Sequence, residues 1–267
     1  MNFFQYNNGD AITNGAFRIS ASQLSRFFDD TSNWYREFLL GEGGFLGSTA
    51  TELGNCIHAA AAMHHTLKSI DHQQIHAYIN SLTSPDIDTN LIRDQLDPML
   101  GAFLPFLKST RVTASEQFLY KEILPGIGVG GSCDAFDSHT GTIFDYKTTS
   151  QKTQITSFSR AYWFQLMTYA WLYKQLGHQV NYIKLVYVTR NETGRFSEKT
   201  GKPLQDYPSQ VYTVQEPVTQ ANLDLIESCI KLIAESVQCW QQHPELRHIL
   251  AQDYRLKELP KPKLFKD

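Results

Sequence analysis

The chain of 267 residues contains 42% hydrophobic and 12% aromatic residues, enough apolar side chains for the core of one large globular domain. Its net charge of −3 excludes a uniformly basic surface but is compatible with a local basic groove that binds nucleic acid. No segment approaches the roughly 20 uncharged apolar residues of a membrane helix, and residues 1–15 lack the pattern of a secretion signal. The composition therefore predicts a cytoplasmic protein without a membrane partner.

The four cysteines lie far apart and form no Cys-x-x-Cys pair: Cys56, Cys133, Cys229 and Cys239. This spacing supports neither a disulfide framework nor a cysteine-bound zinc or iron–sulfur site. We expect reduced thiols that are mostly buried, because a free cysteine behaves as a small apolar side chain.

Residues from about 20 to 110 show apolar side chains at helical spacing. The pattern is clear in three segments, SASQLSRFFDD, TELGNCIHAAAAMHHTLKSI and NLIRDQLDPMLGAFLPFLKST. Glycine, serine, proline and aspartate punctuate the connections GEGGFLGS and TSPDIDT, which indicates loops. The sequence therefore predicts a helical first portion.

The pattern changes near residue 115, where three strand-like segments follow one another. They are SEQFLYKEIL, IGVGGSCDAFD and GTIFDYKTT, and the turn signals PG and SHTG separate them. We predict three consecutive antiparallel strands. The segment ITSFSRAYWFQLMTYAWLYKQLG then predicts a helix that ends at Gly177, and QVNYIKLVYVTR predicts a fourth strand.

The remainder of the chain predicts one more strand and one more helix. The short strand SQVYTVQ follows the polar stretch RNETGRFSEKTGKPLQDYP, and helical spacing runs from about residue 218 to 242. The final residues LPKPKLFKD predict a loose tail.

The segment FDYKTT carries the charged pair Asp145 and Lys147 on a predicted strand. Side chains two apart share one face of a strand, so both point the same way while Tyr146 points to the other face. A hairpin closed at SHTG places Asp134 of the preceding strand beside Asp145. Two adjacent carboxylates favour a cation between them, and hard oxygen ligands, including the Tyr146 carbonyl, favour Mg²⁺ or Mn²⁺. An exposed ion pair between Asp145 and Lys147 is the alternative.

Five segments, taken in order, resemble motifs of the RecB-like exonuclease branch of the PD-(D/E)XK nuclease superfamily. ISASQLSRFFDDTSNWYREFLLGE resembles the opening helix of the branch and LGNCIHAAAAMH its Gly-x-x-x-His helix. GVGGSCDAFD, FDYKTT and QLMTYAWLY resemble the Gly-x-x-Asp strand, the Asp-x-Lys strand and the Gln-x-x-x-Tyr helix. Together they span about residues 18 to 190, and the ordered set is far more specific than any one motif.

The resemblance implies an α/β fold with a restriction-endonuclease-like core, which is a central mixed β-sheet flanked by helices, and a helical N-terminal portion. It also implies that Asp134 and Asp145 bind one or two Mg²⁺ or Mn²⁺ ions. Lys147 is then the catalytic lysine, and His58 supplies an extra ligand from the helical portion. A lone histidine in an alanine-rich helix is otherwise more often structural.

Gln165 and Tyr169 lie one helical turn apart and share a face of the predicted helix. The resemblance implies that both contact the phosphodiester, or the strand near the scissile bond. Glu116 on the first strand is either a further acidic ligand, a partner of a ligand, or a solvated carboxylate. No motif supports His64 and His65, which we interpret as ordinary helix residues.

The chain departs from its apparent relatives in two respects. It lacks the Cys-Pro that follows the opening helix in many of them, and it lacks the cysteine cluster that holds an iron–sulfur centre in some, so we predict no such cluster. The segment GRFSEKTGKP also lacks a phosphate loop, because Phe196 stands at its first glycine and Pro203 replaces its Ser or Thr. Any helicase or other recombination partner is then a separate protein.

The polar segment 190–206 carries four cations on a predicted loop between strands: Arg190, Arg195, Lys199 and Lys202. They either bind the phosphate backbone of nucleic acid or are simply solvated. Aromatic side chains of the preceding helix either stack on bases or belong to the core. These are Tyr162, Trp163 and Trp171.

The sequence therefore predicts a single nuclease domain over residues 1–267. Residues 1–112 form its mainly helical portion with the histidine motif, residues 113–245 its sheet-containing catalytic core, and residues 246–267 a tail. The predicted function is metal-dependent DNA cleavage, as an exonuclease in recombination, repair or phage replication. An inactive nuclease-like module that binds nucleic acid or a partner, and an endonuclease on the same fold, are the alternatives.

Overall fold

A mixed β-sheet forms the centre of the computed structural model, which describes residues 2–4, 10–13, 15–42, 47–197, 199–246 and 250. Within these residues the sheet has six strands, in the order β1-β3-β4-β5-β6 with β2 paired to β3. The strands are β1 (Phe17–Ser20), β2 (Ala114–Leu124), β3 (Ile127–Asp137), β4 (Thr142–Thr149), β5 (Tyr182–Thr189) and β6 (Val211–Pro217).

Helices cover both faces of this sheet. They are α1 (Asp10–Thr13), α2 (Leu24–Asp29), α3 (Thr31–Phe38), α4 (Thr49–Leu67), α5 (His72–Ser81), α6 (Thr89–Ser109), α7 (Arg160–Gln175) and α8 (Gln220–Gln242). The helices α2, α3, α7 and α8 share one buried apolar cluster with the sheet, and α4, α5 and α6 share a second cluster on the opposite face. None of the described helices combines the length and apolar character needed to cross a bilayer.

The sequence of β5 is almost continuously apolar because both faces of this strand are buried. Leu185 belongs to the cluster under α7 and α8, whereas the adjacent Val186 belongs to the cluster under α4 and α6. A strand buried on both faces needs apolar residues at both alternating positions. The predicted fold class, a mixed sheet between two helical layers, is confirmed.

The sheet opens into a fork on one edge of β3. Because β2 pairs with the other edge of β3, both β1 and β4 lie on this edge. β1 runs parallel to residues 127–130, and β4 runs antiparallel to residues 135–137. Among the described residues, 131–134 therefore have no ladder partner on this edge, and their backbone borders a gap between β1 and β4.

The predicted element order holds for the elements that the sequence indicated, with several local differences, among them the additional helices α1 and α5. The three consecutive antiparallel strands are present as β2, β3 and β4. The strand β1 was not predicted, and the opening helix is two helices because Asp30 leaves the helical conformation and accepts a hydrogen bond from the Asn33 N–H as the N-cap of α3. The predicted tail lies, beyond Leu246, outside the described residues except for position 250.

The glycines of β3 allow β2 to pack closely, which provides a test of the hairpin. A Cβ on Gly130 would lie 2.5 Å from the Leu119 carbonyl oxygen, so Gly130→Ala forces the two strands apart. We expect a loss of about 1–3 kcal/mol in the free energy of unfolding, measured by urea denaturation. Gly101→Ala is the matched control, because nothing lies within 4 Å of its added Cβ on α6, and it should stabilise the helix by about 0.5–1 kcal/mol.

Candidate active site

The predicted hairpin of β3 and β4 brings two carboxylates to the fork of the sheet. Ala135 pairs with Phe144, so the next step along the ladder places Asp134 beside Asp145. The backbone N–H of Tyr146 donates a hydrogen bond of 2.8 Å to Oδ2 of Asp134. Both aspartates are buried, with Asp145 only 1% exposed. The carboxylates therefore sit where water compensates their charge poorly.

Asp145 is held by two partners from different elements. Lys147 Nζ lies 2.7 Å from Asp145 Oδ2, and the Gln165 side-chain amide of α7 donates a 3.2 Å hydrogen bond to Asp145 Oδ1. The ammonium also lies over the ring of Tyr162, 5.1 Å from its centre. This ion pair is largely buried, which excludes the exposed pair that the sequence left open.

The helix α4 supplies His58 to the same place. Its Nδ1 lies 3.2 Å from Asp134 Oδ2, and the possible ligand atoms of His58, Glu116 and Asp134 all lie within 4.8 Å of one another. Gly54, one turn earlier on α4, faces β4, where an added Cβ would lie at an ordinary contact distance of 3.7 Å from Thr148 Oγ1.

Glu116 reaches this cluster from an unusual backbone conformation. Its neighbours in β2 pair with residues 133 and 135, which places it opposite Asp134, yet its φ is +51°. A left-handed φ is uncommon for a residue with a side chain, and such conformations collect at functional sites. Glu116 therefore joins the cluster through a local break in the regular strand.

The carboxyl groups of Glu116 and Asp145 resist ionisation. Desolvation, followed by the charge of Asp134, raises the pKa of Glu116 to about 8, although the residue as a whole is exposed at the cleft rim. Burial raises the pKa of Asp145 to about 6, even though the charge of Lys147 opposes the rise. Burial disfavours the ionised form of both acids, and the neighbouring charge of Asp134 adds to this effect.

Opposite charges have the reverse effect on the other members of the site. Burial disfavours ionised Asp134, but His58, Lys147 and the Tyr146 N–H outweigh it and lower the pKa of Asp134. Burial likewise disfavours the imidazolium of His58, but the neighbouring Asp134 outweighs it and raises the pKa of His58. Asp145 and Asp134 overcome burial and raise the pKa of Lys147 above its ordinary value, so this ammonium stays charged at neutral pH.

These groups line one cleft of about 680 Å³ between the fork of the sheet and α4. Gln165 and Tyr169 of α7 enter it together, as their spacing predicts. The Tyr169 hydroxyl lies against Gly131, where an added Cβ would be 3.1 Å from it, so the glycine three residues before Asp134 makes room for this ring. Asp145 lies directly beneath the wall formed by Lys147 and Gln165.

A family model describing the PD-(D/E)XK nuclease superfamily matches residues 18–249 of the chain. The chain belongs to this superfamily. The match covers every strand of the sheet except the first residue of β1, and all the site residues named above. No curated protein matches the chain.

Two solved structures are similar to the chain at low sequence identity. The first is a crystal structure of a protein from Eubacterium rectale that is named as a candidate exonuclease. It has a TM-score of 0.54 and 14% sequence identity, and the aligned region covers 96% of this chain and 94% of that protein. A phage-related exonuclease from Haemophilus somnus has a TM-score of 0.45 at 12% identity, covering 85% of this chain and 97% of its own. At these identities the first comparison supports the fold alone.

The sequence missed several polar residues that line the cleft of this nuclease. β1 and the turn after it contribute three of them, Arg18, Ser20 and Ser22, and α4 contributes Asn55. Arg18 and Lys147 are the cations among the described residues that line the cleft. Helical spacing placed residue 20 onward in a helix, and no local signal indicated that β1 borders the site.

The four predicted loop cations lie elsewhere. None of them lines the cleft. They belong to an arm between β5 and β6, described over residues 190–197 and 199–210, in which bridges join residues 192 to 207 and 196 to 203. Arg195 is paired with Glu192 at 2.8 Å, and the Arg190 N–H donates to the Thr149 carbonyl at the arm's base. The arm thus leaves the sheet next to the end of β4, two residues beyond Lys147.

The aromatic side chains of α7 divide between core and site. The indole N–H of Trp163 donates to Glu216 of β6, and that of Trp171 donates to Glu227 of α8, both at 3.1 Å. These two rings therefore bind α7 to its neighbours. Tyr162 is the member that contacts the candidate site, beneath the ammonium of Lys147.

Proposed function

We propose that the protein is a metal-dependent deoxyribonuclease that degrades DNA as an exonuclease, in recombination, repair or phage replication. The observation that carries the proposal is the cluster of His58, Glu116 and Asp134 beside the buried pair of Asp145 and Lys147, in one cleft of a nuclease fold. The alternative of an inactive binding module is less well supported, because no member of this set is missing.

The donor atoms fit a hard divalent cation. Carboxylate oxygens of Asp134, Asp145 and Glu116, the Tyr146 carbonyl and the imidazole of His58 are the donors that Mg²⁺ or Mn²⁺ accepts. The perturbed acids point the same way, because a bound cation would offset the burial, and the charge of Asp134, that raise the pKa of Glu116 and Asp145. One or two such ions, when bound, supply Lewis-acid polarisation of the phosphate and a lowered pKa for water.

The side chains of the chain itself orient the substrate. Lys147 carries a permanent positive charge that faces the cleft and stabilises negative charge that develops on the phosphate during attack by water. Gln165 holds Asp145 in place, and Tyr169 presents its hydroxyl to the strand near the scissile bond. Arg18 adds a second cation on the opposite wall, suited to a neighbouring phosphate.

Cations outside the cleft extend this nucleic-acid surface in the proposal. Arg190 and Arg195 lie toward the base of the 190–210 arm, and Lys199 and Lys202 lie near its tip. Because the arm begins beside the end of β4, a strand that leaves the cleft past Lys147 meets it. Contacts of this kind bind phosphate without reading sequence.

The two portions of the chain act as one nuclease domain in this proposal. The helical portion, residues 1–112, contributes His58 and Arg18, while the core, residues 113–245, contributes the acids and Lys147. Neither portion holds the whole cleft, so separation of the two would remove activity.

The proposal predicts that binding of Mn²⁺ releases protons in a pH-dependent way. At pH 7 Glu116, with a pKa of about 8, still holds its proton and must release it to become a ligand. Metal affinity should therefore fall as the pH is lowered from 9 to 6. Calorimetric titration at pH 7 in buffers of different ionisation enthalpy should show about one proton fewer released by Glu116→Gln than by wild type.

A second carboxylate of the same strand provides the control for this titration. Glu122 accepts a hydrogen bond from the Gly126 N–H in the β2–β3 turn, away from the cleft. Glu122→Gln should release as many protons as wild type. Equal release by wild type and Glu116→Gln would show that Glu116 is not a ligand.

The function is tested with end-labelled linear DNA, closed-circular DNA and RNA of the same sequence, each with Mg²⁺, Mn²⁺ or a chelator. The proposal expects metal-dependent loss of linear DNA from its ends while circles stay closed. Cleavage of circles would identify an endonuclease, and preferential loss of RNA would overturn the choice of DNA. No cleavage of any substrate with DNA binding retained would identify the inactive module.

A further inference from the structure

A buried hydrogen bond joins α4 to β4 behind the candidate site. His65 Nε2 lies 2.7 Å from the Tyr146 hydroxyl, and the two rings stack with an interplanar angle of 21°. Both residues are buried, and Tyr146 is only 1% exposed. The sequence indicated an ordinary helix residue at position 65, because an alanine-rich helix gives little sign of which polar residue faces inward.

Both partners of this hydrogen bond are neutral at physiological pH. Burial, followed by the neighbouring His64 and Lys68, lowers the pKa of His65 to about 4, so the ring is neutral at physiological pH. Burial raises the pKa of Tyr146 well above its ordinary value, so the phenol keeps its proton. A neutral imidazole and a protonated phenol share one proton-mediated contact here, whichever ring nitrogen of His65 carries the proton.

Tyr146 is also the residue between Asp145 and Lys147, and it contacts two members of the cluster, Asp134 and His58. Its backbone N–H donates to Asp134 Oδ2, the same oxygen that lies 3.2 Å from His58 Nδ1. The ring of His58 stands edge-on to the Tyr146 ring, with 6.3 Å between ring centres. Contacts therefore run from Asp134 through Tyr146 to His65, and along α4 back to His58.

His58 and His65 are seven residues apart, two turns of α4, and so project from the same side of the helix. A helix held at one of these positions cannot slide or rotate on the sheet without displacing the other. We infer that His65 is a positioning residue: through its hydrogen bond with Tyr146 it sets the depth of α4 on β4 and so brings His58 to Asp134. The inference rests on the proposed function, because it concerns the arrangement of the proposed ligands.

The test measures Mn²⁺ affinity by calorimetry and the unfolding midpoint in chelator, for wild type and four single variants. Tyr146→Phe and His65→Leu remove the hydrogen bond, and His65→Gln keeps an acceptor at this position. His64→Leu is the control, because His64 is a buried neighbour whose described ring contact is with His65. This control measures how the loss of a buried imidazole from α4 changes Mn²⁺ affinity and the unfolding midpoint when the hydrogen bond between His65 and Tyr146 is kept.

We expect Tyr146→Phe and His65→Leu to weaken Mn²⁺ affinity by about tenfold or more, the effect typical of residues that orient ligands. His65→Gln should recover most of that affinity, and His64→Leu should keep it within about twofold of wild type whatever the direction of its change in unfolding midpoint. Affinity that follows the unfolding midpoint equally in all variants would overturn the positioning role. A wild type that binds no Mn²⁺ would overturn the proposed function, and this inference with it.

Discussion

Replacement of Lys147 by alanine is expected to lower the rate of phosphodiester cleavage by about 10²–10³-fold at Mn²⁺ concentrations that saturate the site. The ammonium is preorganised over Tyr162 and against Asp145, and loss of one such group that faces developing charge has an effect of this size. The proposed ligands are unchanged in the variant. Single-turnover cleavage of linear DNA, with calorimetric Mn²⁺ titration, separates the cleavage rate from the Mn²⁺ affinity.

Stability of this variant should depend on pH in a definite direction. Asp145 loses the charge that lowers its pKa, so the value rises further above the present figure of about 6. A carboxyl with a higher pKa in the folded than in the unfolded state takes up a proton on folding, so Lys147→Ala becomes less stable as the pH rises from 5 to 8. Cleavage is therefore compared at a temperature where the variant remains folded at the assay pH.

A second lysine gives the matched control for Lys147→Ala. Lys184 of β5 lies over the ring of Phe144, much as Lys147 lies over Tyr162, but it does not line the cleft. Lys184→Ala should retain the cleavage rate of wild type. A Lys147→Ala enzyme that cleaves as fast as Lys184→Ala would contradict the assigned role.

The positions of Asp134, Asp145 and Lys147 in the candidate site were predictable because they depend on pairing between neighbouring strands. The alternation of a strand places Asp145 and Lys147 on one face, and the SHTG turn pairs β3 with β4 so that Asp134 comes alongside. The helical period likewise accounts for the way in which Gln165 and Tyr169 enter the cleft together. Each of these relations depends on residues within a few positions of each other or on one tight turn.

The positions of Arg18 and His58 were less predictable because they depend on contacts between segments that lie far apart in the sequence. Residues 17–20 become a strand only because they find residues 127–130, more than a hundred positions later, and four residues are too few to show an alternating pattern. Arg18 therefore gave no sign of bordering the site. His58 was placed only by the resemblance, since nothing in the sequence of α4 specifies which strand the helix covers.

The positions of Glu116 and His65 were hard to predict for a second reason, which is that local sequence patterns do not apply to them. Alternation of side chains along a strand assumes an extended backbone. Glu116 has a left-handed φ, so this rule does not predict where its carboxylate points. His65 lies in a helix whose alanines pack on either side, so that the buried face is weakly marked. Both departures occur at the candidate site, where local preference most often yields to other demands.

Replacement of Asp134 by asparagine is expected to abolish Mn²⁺ binding and cleavage while the fold is kept. Asp134 is the shared neighbour of His58, Glu116 and the Tyr146 N–H, so the cluster loses its central charge. The amide oxygen of asparagine can still accept from Tyr146. At about 100 times Kd, bound Mn²⁺ should raise the unfolding free energy of wild type by about 2.7 kcal/mol, and the variant should show no metal-dependent rise in Tm.

Asp137→Asn is the matched control for Asp134→Asn, because Asp137 is also a buried aspartate of β3 with a lowered pKa. It accepts hydrogen bonds from the Thr140 hydroxyl and the His139 N–H in the β3–β4 turn, outside the cleft. Asp137→Asn should therefore lose stability yet keep the Mn²⁺-dependent rise in Tm. If Asp134→Asn also kept that rise, the metal site would have to lie elsewhere, and the proposed chemistry would lose its centre.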